Sequence, residues 1–291
     1  MKIVRIIGGL GNQMFQYAFY LALKKKFPSE DIFVDCSLFQ TYKLHNGLEL
    51  ERVFGIKLNQ ASPRQLWKVS TPIPNQKISK LIHRYIWPRK TFIEEVVGRI
   101  DTSKVFIPGD FYYSGYWQNY EYFKDVDTEI RHVFQDKVQP NQRTASLINR
   151  LDKDENSVAI HVRRGDYLNL PEFKGICDIE YYKRAISFII QKISDASFYI
   201  ISNDIEWCKN NISGLLEGHP SCYVDWNQGD DSHFDMQIMS KCHHQIIANS
   251  SFSWWSAFLN NHSDKVILAP EKWMNKNNIA RPFQMPDWIL I

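Results

Sequence analysis

The second half of the chain alternates short apolar, β-branched runs with helix-like stretches, and this rhythm constrains the fold more than any other feature. Strand-like runs fall at residues 157–163, 197–202, 222–225, 245–248 and 265–269. Helix-like segments at 179–193, 205–211, 233–242 and 252–261 separate them. Buried strands joined by amphipathic helices predict parallel pairing through right-handed crossovers, a Rossmann-like layer structure. The first half opens the same way, with a strand at 2–7, a glycine turn, a helix at 13–26 and a strand at 32–34. Residues 38–110 then show no sustained period, 122–134 reads as a helix, and 135–156 as a polar crossing. The expected fold class is α/β, with two Rossmann-like halves facing a cleft, divided as 1–150 and 151–291.

Charge separates the halves. Residues 1–150 carry 22 Lys+Arg against 14 Asp+Glu, or +8, and residues 151–291 carry 13 against 18, or −5. A basic half reads as a solvated surface, or as one that meets nucleic acid, anionic lipid or an acidic glycan. No RNP-type, helix-turn-helix or finger motif supports nucleic acid. No run approaches the ~20 apolar residues that span a bilayer, and the first residues lack a signal peptide's apolar core. Five scattered cysteines without a CxxC pair indicate neither a disulfide framework nor a zinc site. The expectation is a cytoplasmic chain with free thiols. Residues 77–90 mix basic and bulky apolar side chains at near-helical spacing. They read as a helix packed on the core, or as a peripheral contact with anionic membrane on the cytoplasmic face.

The run His161-Val162-Arg163-Arg164-Gly165-Asp166 closes a buried strand. Two adjacent arginines there are costly unless something anionic meets them. At the carboxyl end of a parallel strand they face the crevice where α/β proteins bind ligands, and a guanidinium fork matches phosphate oxygens. An Arg–Asp ion-pair cluster capping the sheet is the alternative. Gly8-Gly9-Leu10-Gly11-Asn12-Gln13 joins the first strand to its helix. It is either a tight packing turn or a backbone approach to a ligand at a helix N-terminus, and Asn12 and Gln13 favour a site. Asn249-Ser250-Ser251-Phe252-Ser253 lies between strand and helix, where serines cap the helix or meet phosphate and sugar hydroxyls. Ser202-Asn203-Asp204 holds the matching place after another strand, and its carboxylate could accept two guanine N–H groups. The D-x-D strings 125–127 and 152–154 read as helix and connector rather than cation ligands. His243 and His244 are expected to face opposite sides of a strand.

Together these residues resemble the bacterial α-1,2-fucosyltransferases. The family's H-x-R-R-x-D motif is matched by His161, Arg163, Arg164 and Asp166. Its opening G-G-L-G-N-Q-M-F-Q-Y-A is matched from Gly8 to Ala18, and its Asp-led helix and N-S-x-F-S-W-W pattern by Asp235, Asn249, Ser250, Phe252, Ser253, Trp254 and Trp255. The resemblance implies a GT-B architecture with an N-terminal acceptor-side domain and a C-terminal donor domain. It implies transfer of L-fucose from GDP-fucose to the 2-hydroxyl of a galactose, with inversion and without metal or other cofactor. The acceptor it implies is a β-galactoside or a lipid-linked oligosaccharide. Arg163 would meet the β-phosphate and His161 the guanine side, with Arg164, Asp204, Ser250, Ser251, Ser253 and Gly11 completing the donor site. Asn12 would approach the reacting centre. Asp166 is available as a base, although a carboxylate beside two arginines is a weak one.

Overall fold

A computed structural model describes residues 1–41, 45–71, 73, 78, 81–86, 88–98, 100–275 and 283–291. The chain divides into two compact units, Met1–Val138 and Gln139–Ile291.

The first unit is built on a parallel sheet of β1 (Lys2–Arg5), β2 (Ile32–Asp35), β3 (Phe92–Glu94) and β4 (Phe111–Ser114), in the order β2-β1-β4-β3. The helix Leu10–Lys26 follows β1 and buries every residue from Met14 to Leu23. Such all-round burial needs a second wall, which residues 117–134 supply. Phe19 stacks on Trp117 with ring centroids 4.3 Å apart, and Phe15 meets Phe123 at 5.9 Å. That wall was expected as one helix over 122–134. It is instead two 3₁₀ turns, Tyr120–Tyr122 and Lys124–Val126, leading into the helix Asp127–Val133.

The aperiodic stretch 38–110 holds β3 and the helices Leu50–Phe54, Pro63–Val69 and Thr102–Val105. Elements of three to seven residues cannot display a 3.6-residue period. One signal was nevertheless there: Ser62 and Gln65 form a reciprocal capping box, with Pro63 at the first helical position. Of the 77–90 stretch, residues 77, 79, 80 and 87 lie outside the described residues, and Ile82–Ile86 forms a π-helical turn.

The second unit holds a six-stranded parallel sheet of β5 (Ser157–Val162), β6 (Ser197–Ser202), β7 (Ser221–Val224), β8 (His244–Ile246), β9 (Ile267–Ala269) and β10 (Ile289–Leu290). Their order is β10-β9-β8-β5-β6-β7. The chain winds outward from β5 through β6 to β7, then returns to β5's other side and winds outward again. That reversal is the Rossmann topological switch point, and it lies between β5 and β8. Val158, Ile160 and Val162 bury one face of β5 against the helix Ile179–Lys192, while Ala159 faces the helix His233–Lys241.

The expected polar crossing proved to contain a helix, Gln142–Leu151, capped by Asn141, whose side chain accepts from the Thr144 N–H. Leu147 and Leu151 pack with Ala159, Tyr199 and Ile201, so a division at 150 would cut a helix that belongs to the second unit. His243 and His244 also depart from expectation. Their ring centroids are 4.7 Å apart, and His262 stacks on His243 at 4.2 Å. The cause is that His243 precedes the strand, so the alternation of side chains does not yet apply.

Candidate active site

All strands of the second unit run parallel, so β5, β6 and β8 end on one edge of the sheet. The loops there knit together around the two arginines. The Arg164 N–H donates to Asn203 Oδ1 at 3.0 Å, and its Nε donates to Asp204 Oδ2 at 3.2 Å. Its guanidinium lies 4.0 Å from the centroid of the Trp207 ring. Arg164 is thereby fastened to β6. Asp204 is shared: its other oxygen accepts from the Trp207 N–H at 3.2 Å and caps the helix Ile205–Asn211. Its two oxygens both have protein partners, which competes with the reading of Asp204 as a guanine acceptor.

Arg163 differs. Its Nη2 lies 2.9 Å from Asp166 Oδ1, and its guanidinium sits 5.5 Å from the Tyr167 ring centroid. The Tyr167 hydroxyl donates to the Asn249 carbonyl at 3.3 Å, linking the β5 and β8 loops across the switch point. The Arg163 Nε is buried and has no hydrogen-bond partner among the described residues. His161 Nδ1 is in the same position. The two side chains are neighbours, since the Arg163 charge acts on the His161 imidazole. A buried polar atom left unpaired costs ~1–3 kcal/mol, so two such neighbours mark where a ligand is expected.

Burial, and secondarily the Arg163 charge, pushes the His161 imidazole down to about 3. The ring is therefore neutral at physiological pH and can offer or accept one hydrogen bond, but it does not carry charge. Phe252 faces it, with ring centroids 6.0 Å apart. The Tyr182 hydroxyl fixes the strand by donating to the His161 carbonyl at 3.0 Å.

Ser250 caps the helix Ser251–Leu259 by accepting from the Phe252 N–H at 3.3 Å. Ser253 is fully buried and donates to the carbonyls of Ala248 and Ser250 at 3.1 and 3.3 Å. Its hydroxyl is engaged within the loop and helix. Ser251 remains part-exposed in the first turn. The N–H groups of that turn suit an anion, and its Phe252 ring lies beside His161.

Gly165 shows why a small residue follows the arginines. A Cβ there would come within 2.3 Å of Asn203 Nδ2, the side chain that holds the Arg164 backbone.

In the first unit, Gly11 and Asn12 fall inside the first turn of Leu10–Lys26, not before it as expected. Gly8 has φ +92°, and a Cβ on it would lie 2.8 Å from Asn12 Nδ2. Asn12 Oδ1 accepts from Gln118 Nε2 at 2.6 Å. Gln13 is fully buried, donating to the carbonyls of Gly8 and Gly47 at 2.8 and 2.7 Å and accepting from the Glu49 N–H at 2.9 Å. Gln16 accepts from the Ile7 N–H at 2.8 Å and donates to the Gly115 carbonyl at 3.0 Å. Gln13 and Gln16 are thus structural ties, and Asn12 is the part-exposed polar side chain of the motif.

Sequence reasoning treated Asp235 only as part of a pattern. It lies in the first turn of His233–Lys241, beside the loop that follows β7, and accepts from Asn227 Nδ2 at 2.9 Å. Burial pushes its carboxyl up to about 7, with the Asn227 bond opposing. A carboxylate in the helix-opening run His233-Phe234-Asp235-Met236, otherwise largely apolar, was the available signal. Because the folded-state value lies above the ordinary ~4 of an unfolded chain, the folded protein retains a proton that the unfolded one has lost. Stability from this group is therefore lost as pH rises from ~4 to ~7 and changes little beyond. In melting curves from pH 5 to 8, Asp235→Asn should gain on the parent as pH rises, then hold a constant gap. A gap that does not change with pH would remove the buried-carboxyl assignment.

The D-x-D strings are occupied by protein partners. Asp154 Oδ2 accepts from Ser197 Oγ and the Tyr199 hydroxyl at 2.7 and 3.0 Å, at the amino ends of β5 and β6, away from the arginines. Asp127 accepts from Arg131 at 2.6 Å and Tyr120 at 3.1 Å.

A doubly wound parallel sheet with its loops gathered at the carboxyl ends of β5, β6 and β8 defines an α/β protein of the Rossmann-like class. The chain belongs to glycosyl transferase family 11, whose sequence profile matches residues 87–291. It is 30% identical to an Escherichia coli alpha-1,2-colitosyltransferase, over 99% of this chain and 98% of that one. The same identity, over 97% of each chain, relates it to the Escherichia coli O-antigen biosynthesis glycosyltransferase WbnK. Human galactoside alpha-(1,2)-fucosyltransferase 1 is 25% identical, over 97% of this chain and 72% of its own. Among solved structures, an Arabidopsis thaliana FUT1 variant in complex with GDP aligns with TM-score 0.51 and 13% identity, covering 97% of this chain and 72% of that one. That likeness is one of fold, which is GT-B-like. No helix among the described residues is long and apolar enough to cross a membrane.

Proposed function

We propose that this glycosyltransferase moves L-fucose from GDP-fucose to the 2-hydroxyl of a galactose residue, with inversion and without a metal ion. The observation that carries this reading is the pair of buried, unsatisfied nitrogens His161 Nδ1 and Arg163 Nε, with Phe252 of a helix's first turn beside His161, on a chain of family 11. Departure of GDP leaves charge on the β-phosphate and an oxocarbenium-like sugar. Arg163, the Ser251 hydroxyl and the first N–H groups of Ser251–Leu259 stabilise that charge as it develops. Asp166 orients Arg163 through the 2.9 Å pair with its Nη2. His161 stays neutral and directs one hydrogen bond to the nucleotide. Asn12 acts on the sugar side of the reaction.

A second reading replaces fucose by colitose, favoured by the colitosyltransferase among the relatives. Initial rates with GDP-fucose and with nucleotide-linked colitose, on a panel of β-galactosides followed by linkage analysis, distinguish the two. GDP is expected to inhibit and UDP not to. The same assay in EDTA is expected to keep its rate. Loss of turnover restored by Mg²⁺ or Mn²⁺ would overturn the metal-free mechanism.

A further inference from the structure

We propose that the first unit docks on an anionic lipid bilayer through a basic, aromatic patch centred on Trp67, Tyr85 and Ile86. Ten large apolar side chains stand exposed among the described residues, and eight of them fall between positions 67 and 100. Tyr85 and Ile86 are 71% and 69% exposed, and Trp67 is 54% exposed. Single exposed apolar residues are ordinary, but a cluster marks an interaction surface.

Arg89 ties the segment that follows Ile86 to the helix that carries Trp67. The helix Pro63–Val69 buries Leu66 and Val69 against Ile3 and Tyr112 and turns Trp67 outward. The Arg89 guanidinium donates to the carbonyls of Trp67 and Lys68 at 2.9 and 3.2 Å, and Thr91 Oγ1 donates to the Val69 carbonyl at 2.8 Å. Tyr85 and Ile86 precede that anchor by three or four residues, at most ~14 Å of chain. Arg64 and Lys90 stand exposed beside them.

Charge selects the occupant. Residues 64–104 contain nine Lys+Arg and three Asp+Glu, a formal +6 in a chain whose total is +3. A second copy would bring like charge against like charge. Nucleic acid would reward the arginines and aromatics but gives nothing to Ile86 or Leu81. An anionic bilayer meets all three, with phosphates for the cations, an interface for Trp67 and Tyr85, and acyl chains for the aliphatics.

The test is cosedimentation of the full chain, without any nucleotide sugar, with vesicles of phosphatidylcholine alone or mixed with phosphatidylglycerol. Binding is expected only to the anionic vesicles, weakening as salt is raised. The triple variant Trp67→Ser, Tyr85→Ser, Ile86→Ser should partition at least ~10-fold less with an unchanged melting curve. Should it fail to fold, the pair Arg64→Glu and Lys90→Glu replaces it, with the same loss expected. Equal binding to both lipids, no binding to either, or undiminished binding by the variants would overturn the proposal. So would capture of a single-stranded oligonucleotide that the variants lose and anionic vesicles do not displace. Because no transfer is measured, the outcome is separate from that of the donor assignment.

Discussion

Arg163→Ala is expected to lower turnover by ~10²–10³, the usual cost of removing one donor that stabilises developing charge. Arg163→Lys should recover little of it. The geometry explains why lysine is a poor substitute. One end of the guanidinium is engaged with Asp166 at 2.9 Å while its Nε, buried on the other side, awaits an acceptor. A planar fork can do both at once; an ammonium on a flexible stem must choose. Arg163 lies after the last paired residue of β5, so its removal should leave the melting curve close to that of the parent. Initial rates and thermal melting on one preparation decide the matter. A folded Arg163→Lys protein that keeps most of its activity would show that the fork is not what the reaction uses.

The second large effect is expected at Asn12. Its carbonyl oxygen is engaged by Gln118 at 2.6 Å, and it is the side chain's amide nitrogen that is proposed to approach the sugar. Asn12→Ala should lower kcat strongly while changing GDP affinity by less than about threefold, or under ~0.7 kcal/mol. Asn12→Asp is the sharper probe, since it keeps an acceptor for Gln118 and removes only the N–H donors. If Asn12 merely fastens Gln118, alanine lowers the melting temperature, aspartate does not, and turnover per folded molecule survives in both. Titration calorimetry with GDP beside rate measurements separates the two cases.

Much of the second unit was legible because its strands are buried on both faces and its helices are amphipathic. The stretch 197–202 reads as a strand from composition alone, and 205–211 as the helix that follows it. The arginine pair was legible for the converse reason, as charge at the end of an apolar run. What stayed hidden was short or non-local. β3, at three residues, has no period to read, and it forms because β4 lies alongside it. The engagement of Ser253 with the carbonyls of Ala248 and Ser250 could not be separated from that of Ser251 by sequence, because both are serines in one loop-to-helix run. Asp204 carried a cap, an ion pair and a proposed guanine contact in one symbol. Only coordinates reveal that the first two already hold both its oxygens.

The buried glutamines of the first helix bear on how such enzymes can be redesigned. Gln13 and Gln16 together hold five backbone groups drawn from residues 7, 8, 47, 49 and 115. The opening motif of the chain is therefore largely scaffold, and it specifies architecture rather than sugar choice. Mutagenesis libraries aimed at a new donor should leave Gly8, Gln13 and Gln16 fixed. Diversity belongs at the part-exposed positions of the loops that follow β5, β6 and β8, around a fixed Arg163, Arg164, Gly165, Asn203 and Asp204.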